Sequence, residues 1–313
     1  MRVGHVHEAG FYSSEDEFRA LIVPFVEEGL AHGEPVVIGY DDHKSALLRS
    51  WLADASGVAF VSDRSLYSSP AKAIAEYRRL FERHVGEGAR RIRIAGDVPH
   101  AGNGGRFDGW DRYEAAVNAV WEDFPVRSVC LYDATTVTPE VRDVVERTHP
   151  HLVTPLGERF PSGRYEDPAS FVGLPAEPDP LEATEPLVEL SDPAPAEARH
   201  AVERVARAQV AGVVVDDLVL GISEATSNAR IHGLAPTTVR IWAGRGRVVV
   251  HVHDSGPGPR DRLAGLMPVA DSVTRSGLGL WLTHQLDLDV ALIAGPDGFT
   301  VRLRGGRAPG PRR

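Results

Sequence analysis

Residues 166–197 carry nine acidic side chains, no Lys or Arg, and prolines at positions 168, 175, 178, 180, 186, 193 and 195. Each proline lacks an amide donor and holds its predecessor in extended backbone, so regular elements are not expected to persist there. Self-repelling charge stiffens the stretch further. It reads as a connector, and it divides a chain of 313 residues that is longer than one hydrophobic core usually serves. The expected organisation is a first domain over residues 1–160, a linker over 161–195, a second domain over 196–304 and a disordered tail over 305–313.

The formal charge is −10, and most of the acidic excess lies in that connector. Such a balance opposes a nucleic-acid surface spread over the molecule, because phosphate neutralisation needs clustered basic groups. No apolar run nears the length of about 18 residues that a membrane helix needs, and the start MRVGHVHEAGFYSSEDEF lacks the apolar core of a secretory signal. A cytoplasmic protein without a membrane partner is expected. The single cysteine, Cys130, cannot form an internal disulfide or a multi-cysteine metal site. Its apolar surroundings mark it as a buried small hydrophobe rather than a redox sensor.

Before the connector, β-rich runs at 35–40, 58–62, 91–98 and 128–132 alternate with helical patterns. Phe18, Leu21, Ile22, Phe25, Val26 and Leu30 follow a 3.6-residue period, with Pro24 expected to kink that helix. The alternation predicts an α/β domain with a mostly parallel sheet. After the connector the order changes. Two helices, over about 196–209 and 214–231, precede a strand pair at 238–243 and 247–253 that is split by Gly244, Arg245 and Gly246. A Gly-rich loop, a helix over 278–286 and two terminal strands follow, which predicts helices on one face of a mixed sheet, a two-layer α/β sandwich.

Three segments of this second domain carry chemistry. Glu224 and Asn228 are four apart on a predicted helix and project from one face. An Asn amide oxygen suits Mg²⁺, and a carboxylate one turn away can take a proton from an attacking hydroxyl. Asp254-Ser255-Gly256-Pro257-Gly258 follows a strand: the carboxylate can accept from an exocyclic amine such as adenine's, and the glycines allow close approach of a flat base. Gly277-Leu278-Gly279 opens a helix whose free amides can meet phosphate oxygens. No Gly-Lys-Ser/Thr occurs, so this is not a Walker A loop.

Taken together the three segments resemble the boxes of GHKL (Bergerat-fold) ATPases, and Glu224-x-x-x-Asn228-Ala229-x-x-His232-Gly233 is most similar to the bacterial anti-sigma-factor serine kinases. The resemblance covers about residues 196–304. It implies an ATP·Mg²⁺ site with Asn228 on the metal, Glu224 as base toward a serine hydroxyl, and Asp254, Gly256 and Gly258 at the adenine. Arg275, Gly277, Leu278 and Gly279 would lie beside the phosphates, with Arg260 and Arg262 as further phosphate contacts. It also implies two partners, a sigma factor and a STAS-domain antagonist that is phosphorylated on serine or threonine. The competing reading is a non-catalytic module of the same fold that sequesters its partner without phosphate transfer. Pro259 departs from the family, whose members commonly carry an aliphatic residue there. A sensor histidine kinase would need a helical hairpin with a phospho-accepting His before the ATPase domain; here that position is the acidic connector, and His200 reads as a surface residue.

The first domain resembles MEDS sensory domains over about residues 4–156, through Gly4-His5-Val6-His7-Glu8-x-x-Phe11-Tyr12, Glu28-Gly29-Leu30-x-x-Gly33-Glu34-Pro35, Cys130-Leu131-Tyr132-Asp133 and His149-Pro150. The resemblance implies a sensor, with a small-molecule signal as its expected ligand; a homodimer is left open. In open α/β sheets ligands bind beyond the carboxyl ends of strands, where His7, Glu8, Asp41, Asp42, Asp97 and Asp133 are expected. His5 and His7 alternate on a strand and share one side, so they can meet a metal together with His100 or His149; ordinary hydrogen-bonded histidines are the favoured expectation. Trp110, Tyr113, Trp121 and Phe124 follow a core-like spacing and are assigned to packing.

Overall fold

The computed structural model describes residues 4–61, 69–103, 109–172, 178–261, 263–266 and 278–306. The chain divides into two compact units, Met1–Val172 and Gly173–Arg313. Among the described residues no helix is long and apolar enough to cross a membrane.

The first unit contains strands β1 (Val6–Tyr12), β2 (Val36–Gly39), β3 (Val58–Phe60), β4 (Ile92–Gly96), β5 (Val126–Asp133), β6 (His151–Val153) and β7 (Arg159–Pro161). They form one sheet in the order β3-β2-β4-β5-β1-β6-β7, parallel from β3 to β6 and antiparallel at the β6–β7 edge. The runs VVIG and IRIAG are buried at every position, as a parallel sheet covered on both faces requires. Helix α1 (Glu15–Ala31) starts where Ser14 accepts the amide of Glu17, and it buries the expected stripe of Phe18, Leu21, Ile22, Phe25 and Val26. It continues as one helix through Pro24. Further helices are α2 (Asp42–Trp51), α3 (Pro70–Gly86), α4 (Trp110–Val120), α5 (Pro139–Thr148) and α6 (Pro168–Val172). Trp121 lies edge-on to Tyr77, Phe81 and Tyr113, and Phe124 lies against Phe81, which is the packing role expected of these aromatics.

The run Glu28 to Pro35 has a clear physical purpose. Arg93 on β4, 1% exposed, pairs with Glu28 and Glu34, and it also donates to the Phe25 carbonyl at 2.8 Å. An added Cβ at Gly29 would stand 2.7 Å from the Arg93 Cδ, so a bare backbone is needed where the buried guanidinium passes. Gly33 supplies the left-handed turn, φ 66°, that brings Glu34 round.

The second unit is a sheet of five strands, β8 (Val188–Ser191), β9 (Thr237–Gly244), β10 (Arg247–Asp254), β11 (Asp289–Gly295) and β12 (Gly298–Gly306), in the order β11-β12-β10-β9-β8. Its pairings are antiparallel throughout, not mixed. Arg245 (φ 56°) and Gly246 (φ 77°) form the two-residue turn between β9 and β10. Its described helices include α7 (Pro195–Ala206), α8 (Gly212–His232) and α9 (Leu278–Gln285). Alternation along the strands sends Val239, Ile241, Val248, Val250, Val252, Val301 and Leu303 into a core shared with Val215, Leu218, Ile222, Ala225 and Ala229 of α8. His200 is exposed on α7, as expected.

The expected bare linker over 161–195 is corrected. It carries α6, a 3₁₀ turn at Pro180–Ala183 and strand β8, which pairs with β9. The acidic side chains answer a row of cations on the second face of the sheet. Asp179, 2% exposed, meets Arg247 at 2.7 Å and Arg304 at 3.8 Å; Glu182 meets Arg302 at 3.2 Å and His251 at 3.4 Å; Glu189 meets Arg240 at 3.1 Å. Trp242 donates its indole N–H to the Thr184 carbonyl at 2.8 Å. Charge that repels itself along the sequence is thus neutralised across the sheet. Gly305 and Gly306, placed in the expected tail, belong to β12; residues 307–313 lie outside the described residues.

Candidate functional site

Helix α8 organises one constellation. Its core stripe, Val215, Leu218, Ile222, Ala225 and Ala229, repeats every three or four residues and fixes which side of the helix meets the sheet. Glu224 and Asn228 each precede one of these core residues, so both sit half-buried beside the stripe. Among the described residues neither side chain makes a hydrogen bond or ion pair. Both converge on the start of α9: a Cβ added to Gly279 would stand 2.3 Å from Glu224 Oε2 and 3.6 Å from Asn228 Nδ2. Two polar groups without partners around a bare backbone are what a ligand-binding cradle provides.

The other end of α8 meets Asp254, the last residue of β10 and 5% exposed. Its Oδ1 accepts the Gly256 amide at 2.7 Å and the Leu234 amide at 3.1 Å, which locks the carboxylate and leaves Oδ2 without a hydrogen-bond partner among the described residues. Gly233 matters here by closeness and not by turn geometry. Its φ is −83°, and an added Cβ would meet the Asp254 Cγ at 2.4 Å. Gly256 faces the same carboxylate oxygen, while Gly258 (φ 71°) lies against the Phe299 ring, 2.2 Å from an added Cβ. Asn228 and Gly233 are five residues apart, about 7.5 Å along the helix axis. His232 is exposed at the end of α8. Arg260 and Pro259 are exposed; Arg262, Arg275 and Gly277 lie outside the described residues, and of Leu278 the backbone alone is described, as the first residue of α9.

In the first unit the expected strand-end residues separate into three kinds. His7 and Glu8 lie at the amino end of β1, not its carboxyl end, a correction that follows from the strand starting at Val6. Asp41 and Asp133 serve local backbone: Asp41 caps α2 by accepting the Lys44 amide at 2.8 Å, and Asp133 accepts the amide of Thr135 at 2.8 Å. Asp97 pairs with Lys44, whose ammonium also lies 5.6 Å from the Tyr12 ring. Burial lowers the Lys44 pKa, but Asp97 and the Tyr12 hydroxyl outweigh burial and hold it above the ordinary lysine value. Sequence reading missed this lysine although it stands two residues after Asp42, because its partner, Asp97, is 53 residues away in the chain.

The His5 ring stacks on His7 at 5.3 Å and the His149 ring lies 3.9 Å from His7, whereas His100 does not join them. His100 accepts the Gly102 amide at 3.1 Å, and His5 contacts Ser128 Oγ at 2.8 Å. His7 and His149 instead meet Glu114 of α4, at 3.3 and 3.5 Å, and Cys130 Sγ lies 3.6 Å from His7 Nε2. Burial, followed by the charge of His7, pushes the His149 imidazole down to about 3. Burial and the Glu114 carboxylate push the Cys130 thiol up, which agrees with an unreactive small side chain in the absence of a cation. Glu114 escaped the sequence reading because it sits in a helix between core residues, with no spacing that ties it to a histidine.

Residues 6–150 match the family model of MEDS, the methanogen/methylotroph DcmR sensory domain. Residues 191–304 match that of the histidine kinase-like ATPase domain. No curated protein matches the chain.

Proposed function

This chain joins a MEDS sensory domain to a histidine kinase-like ATPase domain, and from that premise we propose that it is an ATP·Mg²⁺-dependent anti-sigma factor and serine/threonine-protein kinase. Its substrate is a STAS-domain antagonist, its sequestered partner a sigma factor, and its first domain the signal-responsive part. One observation carries the reading: Glu224 and Asn228, both without partners among the described residues, face Gly279 at one stretch of α8, while Asp254 is locked at the end of the same helix.

The residues fit the nucleotide and its metal. Asp254 offers Oδ2 to an exocyclic amine while Oδ1 stays held by two backbone amides. The Asn228 amide oxygen is a hard ligand suited to Mg²⁺. ATP supplies the transferable phosphoryl group, and Mg²⁺ the neutralising charge, when they are bound. Glu224 then accepts the proton of the attacking serine hydroxyl, a role open to a carboxylate that spends no hydrogen bond elsewhere among the described residues. The amides opening α9 are unsatisfied within the helix and favour phosphate oxygens.

The test is incubation of the full chain with labelled ATP·Mg²⁺ and candidate STAS proteins. Transfer to serine or threonine is expected, and Asn228→Ala should abolish it. Transfer that survives Asn228→Ala unchanged defeats the role given to that residue. ATP binding and sigma-factor capture without transfer by the unaltered chain would leave a binding module instead of a kinase.

A further inference from the structure

Four side chains from four elements of the first unit meet in its interior. His7 comes from β1, Glu114 from α4, Cys130 from β5, and His149 from the residue that ends α5. Strand register explains half of the meeting. Ala9 pairs with Cys130 in the parallel β1–β5 ladder, and residues paired in this way point to the same face, as do His7 and Ala9 two apart on one strand. One potential ligand atom from each of the four side chains lies within 4.8 Å of the other three. Glu114 and His149 are fully buried, and His7 is 2% exposed.

The hydrogen-bonding pattern leaves these atoms facing one another as lone pairs. Asn118 donates its Nδ2 to the carbonyls of Glu114, Ala115 and Thr148, which fixes its Oδ1 as an acceptor for His7 Nδ1–H at 3.1 Å. His149 Nδ1–H donates to the Val145 carbonyl at 2.9 Å. Both Nε2 atoms therefore present lone pairs inward in the neutral rings. Glu114 receives the Tyr132 hydroxyl on Oε1 at 2.9 Å, but its Oε2 and the His149 Nε2 are buried without a hydrogen-bond partner. Apolar burial of such groups is costly, and a cation relieves it. A backbone carbonyl or amide oxygen on the outer nitrogen of each histidine is the support that metal-ligating imidazoles use.

Three of the six ligand-atom separations match the edges of a small tetrahedral site, and the others lie within 4.8 Å. Zinc bonds of about 2.0–2.1 Å to nitrogen or oxygen and about 2.3 Å to sulfur imply tetrahedron edges of about 3.3–3.6 Å. The observed separations are 3.3 Å from His7 to Glu114, 3.5 Å from His149 to Glu114 and 3.6 Å from Cys130 to His7. We infer that the first domain holds one divalent transition-metal ion of the zinc class on His7 Nε2, Glu114 Oε2, Cys130 Sγ and His149 Nε2. A cavity of about 20 Å³, lined by His7, Glu114 and Cys130 together with Ile94, Val117 and Trp121, adjoins the ion's position. That is space for one water-sized molecule beside the site.

Cobalt(II) is the probe, added to the full chain after chelator treatment, in excess Mg²⁺ so that any magnesium site is filled. The expected result is one equivalent of bound cobalt with a thiolate-to-cobalt charge-transfer band and the strong visible bands of tetrahedral cobalt, both displaced by zinc. Cys130→Ser should remove the charge-transfer band, and His149→Gln should weaken binding by at least about tenfold. A chain that is folded by circular dichroism yet shows no thiolate band overturns the inference, as does a band that persists in Cys130→Ser. Binding of the unaltered chain is decisive even if a variant fails to fold.

Discussion

Replacing Gly279 by Ala separates the proposed chemistry from the fold. The new Cβ would come to 2.3 Å from Glu224 Oε2, whereas carbon and oxygen need roughly 3.3 Å, so about 1 Å must be found somewhere. The atom in the way is the far end of a flexible side chain, half-buried and without a partner among the described residues, and it will rotate before the backbone moves. Stability should change little, or rise slightly, because Gly279 lies within α9, where Ala is favoured over Gly by up to about 1 kcal/mol. Catalysis is less forgiving: a misplacement of about 1 Å can cost about 10²-fold in rate. The expected variant therefore unfolds at or above the temperature of the unaltered chain, while phosphate transfer falls by about two orders of magnitude. Transfer rates from labelled ATP and thermal unfolding by circular dichroism read the two effects independently. Undiminished transfer would mean that Glu224 does not act from the position described, and a large fall in melting temperature would mean that Gly279 is a packing glycine.

Asp254→Asn keeps an Oδ1 acceptor for the Leu234 and Gly256 amides, so the fold should persist while calorimetry shows weaker ATP binding; equal affinity would contradict the adenine role. Gly258→Ala places a residue at φ 71° and drives its Cβ into the rigid, buried Phe299 ring, so a loss of about 2 kcal/mol or more in thermal unfolding is expected. An unchanged melting temperature would refute that packing. Asp179→Ala leaves Arg247, 6% exposed, without its closest carboxylate. The pair meets at 2.7 Å but off the hydrogen-bond direction, so a cost of about 3 kcal/mol, the low end for a broken buried pair, is expected from denaturant unfolding. Faster proteolysis near residue 180 should accompany it, and a variant as resistant as the unaltered chain would show that the acidic segment is not held by this pair.

Local signals in the sequence were sufficient wherever the stabilising partner is near in the chain or the pattern is periodic. The stripe from Phe18 to Val26, the valine run of β10 and the turn at Arg245-Gly246 are of this kind. Glu224 and Asn228 share a helix face for the same reason. The segment after Val172 was not legible because its partners are remote: Asp179 and Glu182 are satisfied by Arg247, Arg302 and Arg304. Counted along the sequence its charges repel, and counted across the sheet they attract. Its prolines were misread for a related reason. Pro168, Pro180 and Pro195 each stand at the first position of an element, where the missing amide costs nothing and the fixed φ helps.

The buried cluster shows where reading by spacing stops. His7, Glu114, Cys130 and His149 have no motif interval, because they are brought together by a sheet order in which β5 lies beside β1 although 113 residues separate the end of one from the start of the other. His7 on β1 selects one face, and the ladder adds Cys130 to it. What turns that face into a site is the helix laid over it, which places a carboxylate where only apolar side chains would be expected. Asn118, one turn beyond Glu114 on the same helix, then fixes the tautomer of His7. A core that wanted only packing would tolerate Leu at 114. Glu114→Leu therefore distinguishes the two accounts by cobalt binding, which it should abolish; in the metal-free chain the Tyr132 hydroxyl loses its acceptor, at a cost of about 1–3 kcal/mol.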